Sequence, residues 1–296
     1  MRRQLQCGLH LGPPRAARTH TCMPARRSSP KPRKAADAKG DLAALGFRVA
    51  VSGPHTGKTL MLQELEALLV AVPADAPAKA YRVAIVEENV LGKGTLSTRK
   101  ETASRLTALH GLDSSKPLFR VLRRLWAVDP AAQPQLALLN GLARDPLLMA
   151  TRGLVLGMAA SQRLQRPDMV AAIRGFTHDR LGPKVLDAVA RNTASSWTQS
   201  GHLKGKVRKL RQPLSPRPAS LALALWLGYA SGKRGKALLG TPWAAVLDCS
   251  SSGLMELAEQ AKRLGLLRLS HGGGVVSIDP SCLDPLHDRL HGADQP

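Results

Sequence analysis

The sequence predicts a mainly α-helical protein that carries one or two small β hairpins. Aromatic residues make up only 3% of the chain, and most of its apolar side chains are Ala, Leu and Val. This composition favours helices packed on helices over a β sandwich. Along most of the chain, apolar residues recur three and four positions apart, which is the spacing of one helix face. The stretch "RVAIVEE" (82–88) is followed by no other clear buried strand until the C-terminal region, so a parallel sheet is not expected.

Periodicity and capping residues place the elements in order. Residues 47–51 are expected to be a short strand or an extended segment, and residues 59–72 an amphipathic helix. "YRVAIVEENVLG" suits a strand or the end of a helix equally well. The next helix has Ser97 or Thr98 as its predicted cap, ahead of Glu101. Further helices are predicted within the segments 116–129, 131–161, 166–203, 221–230, 243–248 and 253–264. Glycine-rich turns predict a hairpin at 266–278, and a second hairpin is expected near 203–211.

The composition divides the chain into three parts. Residues 1–40 consist largely of Pro, Arg, Ser and Lys, and we expect a disordered basic tail. A transit peptide, or a later start at Met23, is an alternative explanation of this tail. A helical domain is predicted over 41–179, and a basic domain with helical and winged-helix-like elements over 180–296.

The positive charge of the chain lies in two blocks. The net charge is +22. Residues 1–40 hold ten Lys and Arg against one Asp, and residues 180–236 hold twelve against Asp187 alone. A basic block on a folded element indicates a polyanionic partner, most often nucleic acid. A scaffold that binds an acidic protein would have the same composition.

The stretch "VAVSGPHTGKTLMLQELEALL" (49–69) resembles a phosphate-binding P-loop. Its candidate nucleotide-binding residues are Gly57, Lys58 and Thr59. The consensus places a glycine where this chain has Ser52, and the chain shows no series of βα units to build the required sheet. We therefore interpret the stretch as a glycine turn before a helix and keep a P-loop-type nucleotide-binding protein as the alternative function.

The most informative stretch is "LDAVARNTASSWTQSGHLKGKVRKLRQ" (186–212). A helix over 184–197, ended by Gly201, is followed by an extended ribbon with five basic residues in eight positions. This is how a winged helix-turn-helix presents a helix to the major groove and a basic ribbon to the neighbouring backbone. The predicted DNA-binding residues are Asn192, Ser195, Ser196, Gln199, His202, Lys204, Lys206, Arg208, Lys209 and Arg211.

Other classes of protein find little support in the sequence. The four cysteines show no CxxC spacing, so neither a zinc site nor any other metal site is predicted, and a reducing cytoplasm fits them. No apolar run approaches the roughly 20 residues that span a bilayer. No motif of a hydrolase or metalloprotease occurs, so neither an enzyme nor a cofactor is predicted.

Four segments together resemble the BrxA-like family of bacterial BREX phage-defence systems. They are "EENVLGKGTLSTRKETASRL", "LARDPLLMATRGLVLGM", "ARNTASSWTQSGHLKGKVRKLR" and "LDCSSSGLMELAEQAKRLGLLRL". The resemblance covers roughly residues 55–285, and residues 192–211 match the basic segment of the family best. It implies a non-enzymatic, mainly helical accessory protein with winged-helix features. The implied partners are double-stranded DNA and other proteins of the defence system.

Overall fold

The computed structural model describes residues 41–48, 54–272 and 275–284. The predicted tail (1–40) and most of the predicted extended segment (47–51) lie outside these residues. Within them the prediction of a mainly α protein is confirmed. The helices are, in chain order, α1 (Leu62–Ala71), α2 (Ala78–Val86), α3 (Leu96–His110), α4 (Pro117–Val128), α5 (Gln133–Arg144), α6 (Pro146–Ala150), α7 (Arg152–Gly157), α8 (Arg166–Thr177), α9 (Pro183–Gln199), α10 (Pro218–Ala230), α11 (Pro242–Ala245) and α12 (Ser251–Arg263). Short 3-10 turns occur at Pro54–Thr56, Pro130–Ala132, Gly235–Gly240 and Ser281–Leu283.

The structure decides between the two alternatives for one early helix and corrects the cap of the next. "YRVAIVEENVLG" contributes to the helix α2 and to no strand, because Tyr81, Ile85 and their neighbours bury one helical face. The cap of α3 is Thr95, whose Oγ1 accepts a hydrogen bond from the backbone N–H of Thr98 at 3.1 Å. The capping side chain therefore precedes the predicted Ser97 or Thr98.

The core is built around α10. Every residue from Pro218 to Gly228 is buried, as expected for a helix that is apolar on all sides. It packs against α4, α5, α11 and α12. The prediction of a helix in this segment is confirmed, and the surrounding helices each contribute one apolar face.

None of the described helices combines the length and the apolar character needed to cross a membrane.

Both expected hairpins are present. The first pairs β1 (Leu203–Lys204) with β2 (Leu210–Arg211), and the second pairs β3 (Arg268–Gly272) with β4 (Val275–Asp279), both antiparallel. Residues 161–164 extend the first hairpin, because three backbone hydrogen bonds of 2.9 Å join them to residues 209–211. The described residues contain no parallel sheet.

The same order of elements occurs twice. In the first unit a helix (α7), a connector (161–164), two helices (α8 and α9) and the hairpin β1–β2 follow one another. In the second unit the order is α10, a connector (Gly235–Gly240), α11, α12 and the hairpin β3–β4. Each connector lies beside the last strand of its own hairpin. The chain therefore repeats one order of helices and hairpin.

The described residues belong to one compact body, which includes the position of the predicted domain boundary. That boundary, between residues 179 and 180, falls between α8 and α9. These two helices pack against each other.

Candidate nucleic-acid interface

Helix α9 is positioned by an apolar face. Pro183 occupies its first turn, where a missing N–H is tolerated. Leu186, Val189, Ala190 and Trp197 are buried, and their three- and four-residue spacing marks the side that packs against α8 and the core. The remaining faces of α9 carry the polar residues singled out from the sequence.

One polar face of α9 contacts the segment 54–62. The Nδ2 atom of Asn192 donates to the carbonyl oxygen of His55 at 2.8 Å. The Oε1 atom of Gln199 accepts from the backbone N–H of Leu62 at 3.0 Å, and its Nε2 donates to Oγ1 of Thr59 at 3.0 Å. Residues 192, 196 and 199 lie on one side of a helix. This side of α9 therefore holds the region predicted as a phosphate loop.

A buried network completes this contact. His55, Asp145 and Ser196 are all 0% exposed. The Oδ2 atom of Asp145 accepts from the backbone N–H of His55 at 2.8 Å and lies 2.7 Å from Nδ1 of its ring. Nε2 of the same ring lies 2.7 Å from Oγ of Ser196. The network joins the turn Pro54–Thr56 to α9.

Asp145 also caps a helix. Its Oδ1 atom accepts from the backbone N–H groups of Leu147 and Leu148, the first turn of α6. Burial acts to raise the pKa of Asp145, but its hydrogen bonds with His55 and the His55 charge outweigh burial, so the pKa is lowered. The carboxylate is therefore held charged at the meeting point of the turn, α6 and α9.

The order Asp145, His55, Ser196 has the hydrogen-bond geometry of a hydrolase triad, but it provides no reactive serine. The Ser196 hydroxyl is fully buried and donates to the carbonyl oxygen of Asn192 at 2.9 Å. A catalytic serine needs an open site where its hydroxyl meets a substrate. The network is therefore structural in this conformation.

Three of the predicted DNA-binding residues thus face the interior. Ser196 has no exposed surface, and the amide groups of Asn192 and Gln199 are hydrogen-bonded to the segment 54–62. The sequence predicts the helix correctly, but it does not show which side of the helix faces the core, so these three residues were expected on the outer side. Ser195 is half-buried, and its hydroxyl makes no hydrogen bond to any other described residue.

The nucleotide-binding candidates Gly57, Lys58 and Thr59 lie in that same segment. In a P-loop the helix begins at the lysine, so that its free N–H groups point at the phosphates. Here α1 begins only at Leu62, and the Leu62 N–H is already bonded to Gln199. The Thr59 hydroxyl is likewise occupied. This geometry departs from that of a P-loop.

We expect Gln199→Ala to destabilise the fold rather than to alter a binding site. The variant leaves the Leu62 N–H and the Thr59 hydroxyl without this partner, and loss of such bonds lowers the free energy of unfolding by about 1–2 kcal/mol. Ser195→Ala on the same helix is the matched control and should stay within about 0.5 kcal/mol. Urea unfolding of both variants measures the difference. Equal stabilities would contradict the assignment.

The hairpin β1–β2 presents three free cations. Lys204, Lys206 and Arg208 are exposed, and no acidic partner of theirs is found among the described residues. A side chain at Gly205 would overlap the carbonyl oxygen of Arg208, and its φ is +111°. Only glycine suits such a tight turn. The cations therefore project from a hairpin that is fixed by its turn and by the residues 161–164.

The other two cations of the ribbon are used internally. The Nζ atom of Lys209 donates to Oγ1 of Thr198 at 2.9 Å, and burial lowers the pKa of this lysine. Arg211 is 3% exposed and pairs with Asp248 at 2.6 Å. Lys209 ties the hairpin to α9, and Arg211 ties it to the segment after α11. Neither is available to a phosphate in this conformation.

His202 is buried as well. Its Nε2 donates to the carbonyl oxygen of Val246 at 2.8 Å, and its ring meets Trp197 edge-on at 4.9 Å. Burial lowers the pKa of His202 to about 4. In this structure the His202 ring is enclosed by Trp197 and Val246 and is not presented to a DNA ligand.

No protein-family model and no curated protein sequence matches this chain.

The outward face of α9 supplies residues that the sequence-based prediction left out. Lys184 and Arg191 are exposed, and they share this face with Ala188 and Ser195. Arg191 pairs with Asp187 at 3.2 Å. Their spacing, opposite the buried Leu186 set, is the signal that identifies them. Together with the hairpin they form the cationic face, defined as Lys184, Arg191, Lys204, Lys206 and Arg208.

The burial of His202 leads to a pH prediction. Its pKa of about 4 in the folded protein lies below the unfolded value of 6.5, so the unfolded chain binds more protons between these values. The free energy of unfolding should fall as the pH drops from 6.5 towards 4, by up to about 1.4 kcal/mol per pH unit from this residue. His202→Asn should remove that contribution. Urea unfolding at several pH values tests this, and an unchanged slope in His202→Asn would contradict it.

Proposed function

We propose that this protein binds duplex DNA through the cationic face. The observation that carries the proposal is the set of three exposed, unpaired cations on a fixed hairpin directly after α9. Cations held without acidic partners attract phosphates, and each contact releases a counterion. Phosphate contacts of this kind position a protein on DNA without reading its sequence.

The first unit supports a winged helix-turn-helix interpretation. The order α7, connector, α8, α9 and hairpin places a helix and a basic ribbon side by side, as such proteins do. In this proposal the outward face of α9 enters the major groove, and the small Ala188 permits close approach. Ser195 is the remaining candidate for a base contact. Lys204, Lys206 and Arg208 then lie along the neighbouring backbone.

The proposal differs from the sequence-based prediction in which residues act. Ser196, His202 and Arg211 are buried, so they support the interface from within. Asn192 and Gln199 belong to the contact with the segment 54–62, and Lys209 anchors the hairpin. We do not propose nucleotide binding at Gly57, Lys58 and Thr59, because the Leu62 N–H and the Thr59 hydroxyl are already bonded within the protein.

We further propose that the protein serves as a DNA-binding accessory protein of a BREX-like defence system. The four resembling segments and the exposed cations of the described site support this role. A gene neighbourhood that contains a methyltransferase and a phosphatase-like protein would be consistent with it, and a neighbourhood without them would count against it. The DNA-binding proposal itself is decided by the affinity for a fluorescent duplex across a salt series.

A further inference from the structure

The second unit carries cations of its own in the loop 231–236, which follows α10 and includes the first two residues of the connector. Lys233, Arg234 and Lys236 follow α10, and all three are exposed. None of them forms an ion pair with an acidic residue in the part of the chain that the structure describes. Six residues (231–236) thus hold three positive charges and no negative one.

This loop is held in one conformation. Gly232 has a φ of +86°, and its N–H donates to the carbonyl oxygen of Tyr229 at 2.9 Å. The Arg234 guanidinium lies 3.9 Å from the centre of the Tyr229 ring and donates to the Tyr229 carbonyl oxygen at 2.7 Å. Because Arg234 is anchored in this way, Lys233 and Lys236 are the two cations left free.

The position of the loop corresponds to that of the connector in the first unit. There, the connector 161–164 carries the exposed Arg163 and pairs with β2 beside the hairpin cations. In the second unit the connector Gly235–Gly240 packs along β4. The last turn of α12 adds the exposed Lys262 and Arg263 to this unit.

The acidic groups of the second unit are mostly engaged. Asp279 on β4 lies 3.3 Å from Arg268, and Glu259 on α12 lies 2.9 Å from His271. Glu256, the other acidic residue of α12, is exposed and forms no ion pair with another described residue. The free positive charge of the loop is therefore not cancelled by its own hairpin.

We propose that Lys233 and Lys236 form a second contact with the DNA backbone, on the same duplex as the cationic face. This inference rests on the proposed DNA binding of the first unit. The loop offers cations between glycines and no exposed aromatic or aliphatic anchor. Protein interfaces depend on such anchors, whereas phosphates need only charge and hydrogen-bond donors. The chemistry of the loop therefore favours a nucleic-acid backbone over an acidic protein.

The test is a salt series with the full-length chain and a fluorescent duplex of about 30 base pairs. Each phosphate contact contributes about −0.9 to the slope of log K against log salt. Lys233→Ala with Lys236→Ala should flatten the slope by about 1.8 units and weaken binding about 60-fold at 0.1 M salt. Lys233→Arg with Lys236→Arg should keep the parental slope, because the charge is retained.

The outcomes separate the two proposals. Lys79→Ala with Lys100→Ala, two exposed cations on α2 and α3, is the charge-matched control and should leave the slope unchanged. If the loop variant also keeps the slope while alanines on the first hairpin flatten it, the second contact is refuted and the proposed function stands. If neither variant changes the slope, both proposals fail. If the loop variant loses affinity for RNA but not for DNA, the assignment to DNA is overturned.

Discussion

Replacing Lys204, Lys206 and Arg208 together with alanine should weaken duplex DNA binding about 500-fold at 0.1 M salt. The reason is counterion release, because each lost phosphate contact removes about 0.9 from the slope of log K against log salt. Three contacts therefore account for about 2.7 units of slope. Fluorescence anisotropy of a labelled duplex at four or five salt concentrations measures both quantities.

The same variant should lose affinity equally for every duplex sequence, since phosphates carry no base information. Its control replaces Lys79, Arg82 and Lys100 with alanine. These cations are also exposed and lie on α2 and α3, away from the hairpin. The control removes the same charge and should keep the parental slope. If both triple variants lose slope alike, binding follows net charge alone and the hairpin is not the interface.

Replacing Asp145 with alanine should lower the free energy of unfolding by about 3–5 kcal/mol. The change removes the partner of the fully buried His55 and the cap of α6 at the same time. A buried polar group that loses its partner retains its desolvation penalty. For a domain of this size, such a loss lowers Tm by roughly 10 °C. Urea unfolding followed by circular dichroism gives the value.

Two further variants sharpen this second experiment. Ser196→Ala keeps the pair of His55 with Asp145 and should lose only about 1 kcal/mol. Asp75→Ala removes an exposed carboxylate and should stay within about 0.5 kcal/mol of the parent. If Asp145→Ala were no less stable than Asp75→Ala, the buried network would not hold α9 and the turn together.

The stability and binding experiments also separate the two faces of α9. Variants of Asn192, Ser196 and Gln199 should change the free energy of unfolding and leave the salt slope of the folded protein unchanged. Variants of Lys184 and Arg191 should do the opposite. The structure makes this division because one face is bonded to the segment 54–62 and the other faces solvent.

In the sequence, the near-match to a P-loop and the basic segment point to two competing functions, nucleotide binding and DNA binding. In the structure they touch each other. Asn192 bonds to His55 across 137 positions of the chain, and Ser196 meets the same residue across 141 positions. No local pattern connects residues so far apart. The polar side chains that suggested a DNA contact are explained instead by the turn they hold.

The sequence alone determined the helical class, the two hairpins and the concentration of positive charge after α8. These features depend on neighbours within about four positions, on glycine turns and on composition. Only the tertiary structure decided which cations are free. Lys206 and Arg208 stay exposed, whereas Arg211 in the same ribbon is buried against Asp248. The physical reason is that the solvent exposure of a side chain depends on which distant elements pack over it. The basic residues of this short ribbon have similar local sequence surroundings, so the local sequence does not tell which of them is covered.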